Sequence, residues 1–301
     1  MLTSFRDIFT IIKTAFREWI SKDPFKESAV IAYYAIFSIP GLLIVIVAIA
    51  GHFFGSQVVT AHLHDQIVDT MGKDIATQIQ LMLVRSDEAE KSILATLIGL
   101  ITIFIGATGV FTQFQSAINT IWGVTADKSK SGIWKFFKAR AFSFGIVVSI
   151  AFMLMVSLVV STMISAFSNW ISRLFSDELV VLFQLMNAII SLSILTFMFA
   201  LVFKVIPDAK IKWKHVWIGS FVTAFLFELG KFGLGYYFGA ANPGTGYGAA
   251  GSVILILLWV SYSSMIVFYG AEFTRAYADK VTDTVGPNEN AIIDDTIQEH
   301  K

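Results

Sequence analysis

Six stretches of this chain, 29–50, 93–114, 139–166, 179–203, 216–239 and 253–273, are apolar over about 20 residues or more. That is the length an α-helix needs to cross roughly 30 Å of hydrocarbon at about 1.5 Å per residue. Unbroken apolar runs exclude a membrane barrel, whose strands are half as long and alternate in polarity. Composition agrees, since 55% of the 301 residues are hydrophobic and 15% charged, outside the range of soluble domains. The expected fold is an all-α integral membrane protein: a six-helix transmembrane domain over 29–273, an amphipathic cytoplasmic segment 1–28, an external helical loop 51–92 and a disordered cytoplasmic tail 274–301. The first 25 residues carry charges throughout and lack the compact apolar core of a cleavable signal, so the first anchor is expected at 29–50.

Lysine and arginine fix the orientation. Outside the spans, sixteen of the 22 fall on the side shared by both ends of the chain, including Lys128, Lys130, Lys135 and Lys138, and four on the other. The remaining two are Arg140, just inside the third span, and Lys231. This bias places both termini in the cytoplasm. Absence of cysteine removes disulfides and thiolate metal sites.

Glu228 and Lys231 are the only charged residues between Trp217 and Gly239. A charge at that depth costs at least about 2.5–3.5 kcal/mol, so two of them must be paired or used. At i, i+3 they can reach each other along one helix. One reading is a structural ion pair that specifies packing. The other is that Glu228 titrates or binds a cation during transport while Lys231 sets its pKa or neutralises it.

Other features surround this pair. Pro40-Gly41 should kink or break the first span and could serve as a hinge. Thr108, Thr112, Gln115 and Asn119 form a polar stripe on the second span, which either hydrogen-bonds neighbouring helices or lines a cavity open to the cytoplasm. Gly145, Ser149, Ser157, Ser161 and Ser165 make a small-residue packing seam on the third. Phe5, Ile8, Phe9, Ile12, Phe16 and Trp19 oppose Arg6, Asp7, Thr10, Lys13, Thr14 and Arg17, as in a helix lying on the cytoplasmic leaflet or one packed against the bundle. Leu63, Ile67, Met71, Ile75 and Ile79 predict helices capping the external side, with His62, Asp65 and Asp69 read as a solvated face. Glycines around Asn242-Pro243 and Tyr247 suggest a re-entrant connection or a tight turn. Glu272 lies near the cytoplasmic boundary, where it can snorkel to water.

Ala32-Tyr33-Tyr34 with Phe37-Ser38-Ile39-Pro40, Ala117-Ile118-Asn119-Thr120-Ile121-Trp122, Phe227-Glu228-Leu229-Gly230-Lys231, and Tyr247-Gly248 through Trp259 to Gly270-Ala271-Glu272 together resemble the YihY/BrkB membrane proteins. The resemblance implies a six-helix bacterial inner-membrane protein linked to envelope integrity and to transport. That family has also carried a ribonuclease label. A nuclease needs clustered carboxylates or histidines holding a metal and a basic groove for phosphate. Here the basic residues are spread over short segments that more simply attract anionic lipid headgroups, and no metal-ligand motif is present.

The expectation is a membrane transporter, not an enzyme, with no cofactor. It would carry a small solute with proton or sodium coupling, or an envelope lipid, with Glu228 and Lys231 in the path. Thr108, Thr112, Gln115, Asn119, Tyr247 and Glu272 would line its cavity. The alternative is a non-transporting scaffold or lipid-organising protein of the envelope. Expected partners are anionic headgroups at the cytoplasmic face, the transported species and a second copy of the chain; nucleic acid is not among them.

Overall fold

A computed structural model describes residues 5–71, 73, 76, 77, 79, 80, 93–127, 177–241, 243, 251–281, 285–289 and 291–293. Among these residues the elements in order are α1 (Phe5–Ser21), α2 (Pro24–Phe54), α3 (Ser56–Met71), α4 (Ile93–Trp122), β1 (Val124–Ala126), α5 (Asp177–Val205), α6 (Trp213–Ala241), α7 (Gly251–Val281) and β2 (Ala291–Ile293). Segments of α5 (Ala188–Val205), α6 (Trp213–Ala241) and α7 (Val253–Val281) are long and apolar enough to cross a membrane. The first and second expected spans fall within α2 and α4. The third, with its small-residue seam, lies outside the described residues.

Helix ends follow local chemistry. Pro24 opens α2, where its missing N–H costs no helical bond. Gly123 follows α4 with φ +66°, a left-handed geometry that glycine adopts without a Cβ penalty and that turns the chain into β1. Within α2 the helix is continuous through Pro40 and Gly41, so of the expected kink or break the break does not occur. A helix can lose the one bond at proline and continue, because neighbouring groups re-satisfy the backbone.

The chain divides into two compact units, and α4, α6 and α7 each begin in one and end in the other. One unit comprises Met1–Ser21, Ile118–Leu226 and Phe268–Lys301. Here α1 runs antiparallel to the end of α7. Asp7 pairs with Lys280 at 2.6 Å, Ile11 and Ala15 pack with Phe273 and Tyr277, and Trp19 meets Tyr269 edge-on with centroids 6.0 Å apart. The helix is packed against α7 through these residues, and the reading in which it also lies on a leaflet is not contradicted. The apolar residues expected on a single face are split, since Ile8, Phe9, Ile12 and Phe16 remain exposed.

In the same unit α6 and α7 interlock. A Cβ on Gly219 would fall 1.7 Å from Thr274 Oγ1, and one on Gly270 would fall 1.9 Å from Thr223 Oγ1. Each helix thus carries Gly-x-x-x-Thr and fits its threonine against the other's glycine. Both hydroxyls donate to carbonyls one turn back, Thr223 to Gly219 and Thr274 to Gly270, each at 2.7 Å. Small residues let the backbones approach, and the polar atoms are satisfied within their own helices.

The polar tail is the largest correction. Residues 274–281 continue α7, and β2 pairs antiparallel with β1, Val124 opposite Ile293 and Ala126 opposite Ala291. Ala209 and Pro287 form a further bridge. The tail is held because its backbone donors and acceptors find partners in distant loops, which composition does not reveal.

The other unit comprises Lys22–Ala117 and Phe227–Val267. There α2 and α4 cross where a Cβ on Gly109 would lie 2.3 Å from Tyr34 Cδ1 and one on Gly106 would lie 3.1 Å from Ser38 N. A second core joins Phe238, Leu255, Ile256 and Trp259 to Ile67 and Ile79. The segment between α2 and α4 therefore contributes side chains to an apolar core.

Candidate functional site

Glu228 and Lys231 do meet. Lys231 Nζ lies 2.8 Å from Glu228 Oε2, within the strong range for a charge-assisted bond, and the two side chains are 25% and 28% exposed. The helix positions them one turn apart, and Gly230 between them brings α6 close to α7, where an added Cβ would lie 2.8 Å from the Tyr262 hydroxyl and 2.7 Å from Ile266 Cδ1. Phe227 packs edge-on against Trp259, centroids 6.1 Å apart. One side of α6 is thus fixed against α7, while Leu229, Phe232 and Tyr236 are exposed at 54%, 70% and 80%. The charge pair lies between these sides. It is neither sealed in the core nor at a helix end where a side chain could reach bulk water.

The residues of the polar stripe of α4 differ in exposure. Thr108 and Gln115 are half-buried and Thr112 is exposed. Gln113, one residue off the stripe, bridges two helices by donating to the carboxylate of Glu27 at the start of α2. Asn119, expected at a cavity mouth, is buried and occupied. Its Nδ2 donates to Asp208 Oδ2 at 2.9 Å, and its Oδ1 accepts from Asp208 N at 2.8 Å.

Asp208 is the centre of a clasp that sequence reasoning missed. Asn288 Nδ2 donates to its other carboxylate oxygen at 3.1 Å, and Asn288 N donates to its carbonyl at 2.9 Å. Lys210 N then donates to Gly286 O at 2.9 Å. Two asparagines, 89 residues upstream and 80 downstream, thereby read both the backbone and the side chain of one aspartate. Alongside, Arg275 donates to Ile121 O at the end of α4, a cation at a helix C-terminus, and approaches Asp279 at 3.6 Å. Lys204 donates to Ile211 O and lies over the Trp213 ring, 5.8 Å from its centroid.

Glu272 does not snorkel. It is 2% exposed, with Ala271 and Thr274 at 0% and Phe273 at 6% beside it. Since α6 covers α7 at Gly270 and Thr274 and α1 covers it at Phe273 and Tyr277, the helix is enclosed at this level. Tyr247 lies outside the described residues. Among the described residues no three His, Asp or Glu side chains gather as a metal site would require.

A family model described as "Virulence factor BrkB" matches residues 15–292. A UPF0761 membrane protein of Saccharophagus degradans is 26% identical over 266 residues, 88% of this chain and 59% of its own length. Another, of Glaesserella parasuis serovar 5, is 24% identical over 243 residues, 78% of this chain and 80% of its own. A third, of Tolumonas auensis, is 32% identical over 126 residues, 41% and 40% of the two chains. The chain thus spans under two thirds of the first relative's length. No solved structure matches it.

Proposed function

The chain belongs to the family of the virulence factor BrkB, a family of membrane proteins, and from that membership we propose that it is a transporter of the bacterial inner membrane. In this reading it has six spans with both termini in the cytoplasm, and moves a small solute with proton or sodium coupling, or an envelope lipid, in support of envelope integrity. One observation carries the proposal. The two charges of α6 are paired at 2.8 Å and about a quarter exposed, so they are not sealed in the core, and a mid-span ion pair that lipid alone would make costly is read as one the protein uses. Glu228 is the cation-handling group, and Lys231 compensates it when the site is empty.

The test is current from proteoliposomes on a solid-supported membrane under imposed proton and sodium gradients. Wild type gives a current that Glu228→Gln abolishes while the variant stays folded and abundant. No current from either protein, or loss of the folded variant, would overturn the assignment. A scaffold is the second reading, favoured by the fact that the pair is complete within a single helix.

A further inference from the structure

In its outer half, α6 carries an outward face of unusual make-up. Glu228, Lys231, Phe232, Gly235, Tyr236 and Gly239 fall within about 140° of arc at 100° per residue. Phe232 and Tyr236 are among the most exposed large side chains, at 70% and 80%. Neither Gly235 nor Gly239 has a described atom within 4 Å of where a Cβ would stand. An aromatic face alone is what lipid covers. This one also holds an ion pair in the middle of a span, and lipid solvates ions poorly. It also holds two glycines one turn apart, the spacing that lets one membrane helix approach another closely.

We propose that this face is where a second copy of the same chain docks. Two parallel copies of α6 related by a two-fold axis along the membrane normal present the same surface to each other. That symmetry is suited to a patch that carries both signs of charge. Each Glu228 then faces the other copy's Lys231 as well as its own, and the four charges neutralise one another away from lipid. Gly235 and Gly239 set the distance, and Phe232 and Tyr236 fill the flanks. A single-sign patch would repel its own copy. The alternation Glu228, Lys231 makes the surface complementary to itself.

The chain has no cysteine, so single cysteines report contacts without background. Phe232→Cys and Tyr236→Cys are oxidised in native membranes, with Leu185→Cys, on the 57% exposed face of α5, as the control. Both α6 variants should yield a disulfide dimer of twice the chain mass and the control none, and adding Gly235→Ile should reduce the dimer at least tenfold at unchanged abundance. Monomer alone from both α6 variants means that lipid covers the face, and a cross-linked band of another mass means an unlike protein does. Either result overturns the proposal, as does equal dimerisation at Leu185. Association is read without flux, so this outcome is separate from that of the transport test.

Discussion

Replacing Asn119 by alanine should release the clasp around Asp208 without disturbing the helices that carry it. The substitution removes the bond from Nδ2 to the Asp208 carboxylate, 2.9 Å, and the one that Oδ1 accepts from Asp208 N, 2.8 Å. A hydrogen bond to a charged group contributes about 1.5–3 kcal/mol and a neutral one about 0.5–1.5 kcal/mol. Asp208 is half-buried, so water returns part of the loss, and about 2–3 kcal/mol is the net expectation. That is roughly a 30- to 150-fold increase in the population of the opened clasp. Amide hydrogen exchange of the protein in nanodiscs measures it directly. Protection at 208–211 and 285–293 should fall by that factor, while the midsections of α6 and α7 keep theirs. Asn288→Ala removes one side-chain bond and should lower protection less, by about tenfold or under. Unchanged protection in Asn119→Ala would mean that the strand pairing alone holds the tail and that the Asp208 bonds contribute nothing.

Two further outcomes follow from the helix contacts. Gly219→Ala puts a methyl 1.7 Å from the buried Thr274 hydroxyl and should cost at least about 2 kcal/mol by overpacking, whereas Gly233→Ala, with no described atom within 4 Å, should be neutral or gain up to about 1 kcal/mol of helix propensity. Equal melting temperatures for the two variants in detergent would contradict the interlocked α6–α7 contact. Replacing Glu228 and Lys231 together by leucine should preserve abundance, since removing both members of a pair leaves no uncompensated charge. If that double variant also sustains flux, the pair is structural and the transport role assigned to Glu228 is wrong.

What the sequence displayed depended on the range of the interaction. Apolar runs and the i, i+3 spacing of Glu228 and Lys231 are local, and the helices of the described spans and the 2.8 Å pair follow from them. Gly219-x-x-x-Thr223 and Gly270-x-x-x-Thr274 were also visible as spacings. Their reciprocal fit required the antiparallel register of two helices, which one sequence does not supply. The clasp left no pattern at all, because its strands are three residues long and its three polar residues stand 80 to 89 positions apart. Composition therefore read a polar tail as disorder. The split face of α1 had a similar cause, since a helix with an apolar arc that wide can bury part of it against α7 and leave part exposed.

Glu228 of α6 and Glu272 of α7 show why depth along a span and enclosure by protein must be judged separately. Glu272, near the end of its expected span, reads as water-reachable, yet two helices close around it and leave 2% exposed. Its surroundings are supplied by this chain, so a change there acts first on folding. Glu228, in mid-span, reads as buried, yet among the described residues it is covered on the side fixed to α7 and its side chain stays 28% exposed. A charge that the described residues do not enclose, at a depth where lipid solvates ions poorly, needs something further to cover it. Water with a cation and a second copy of α6 are the two candidates whose chemistry suits a carboxylate beside an ammonium.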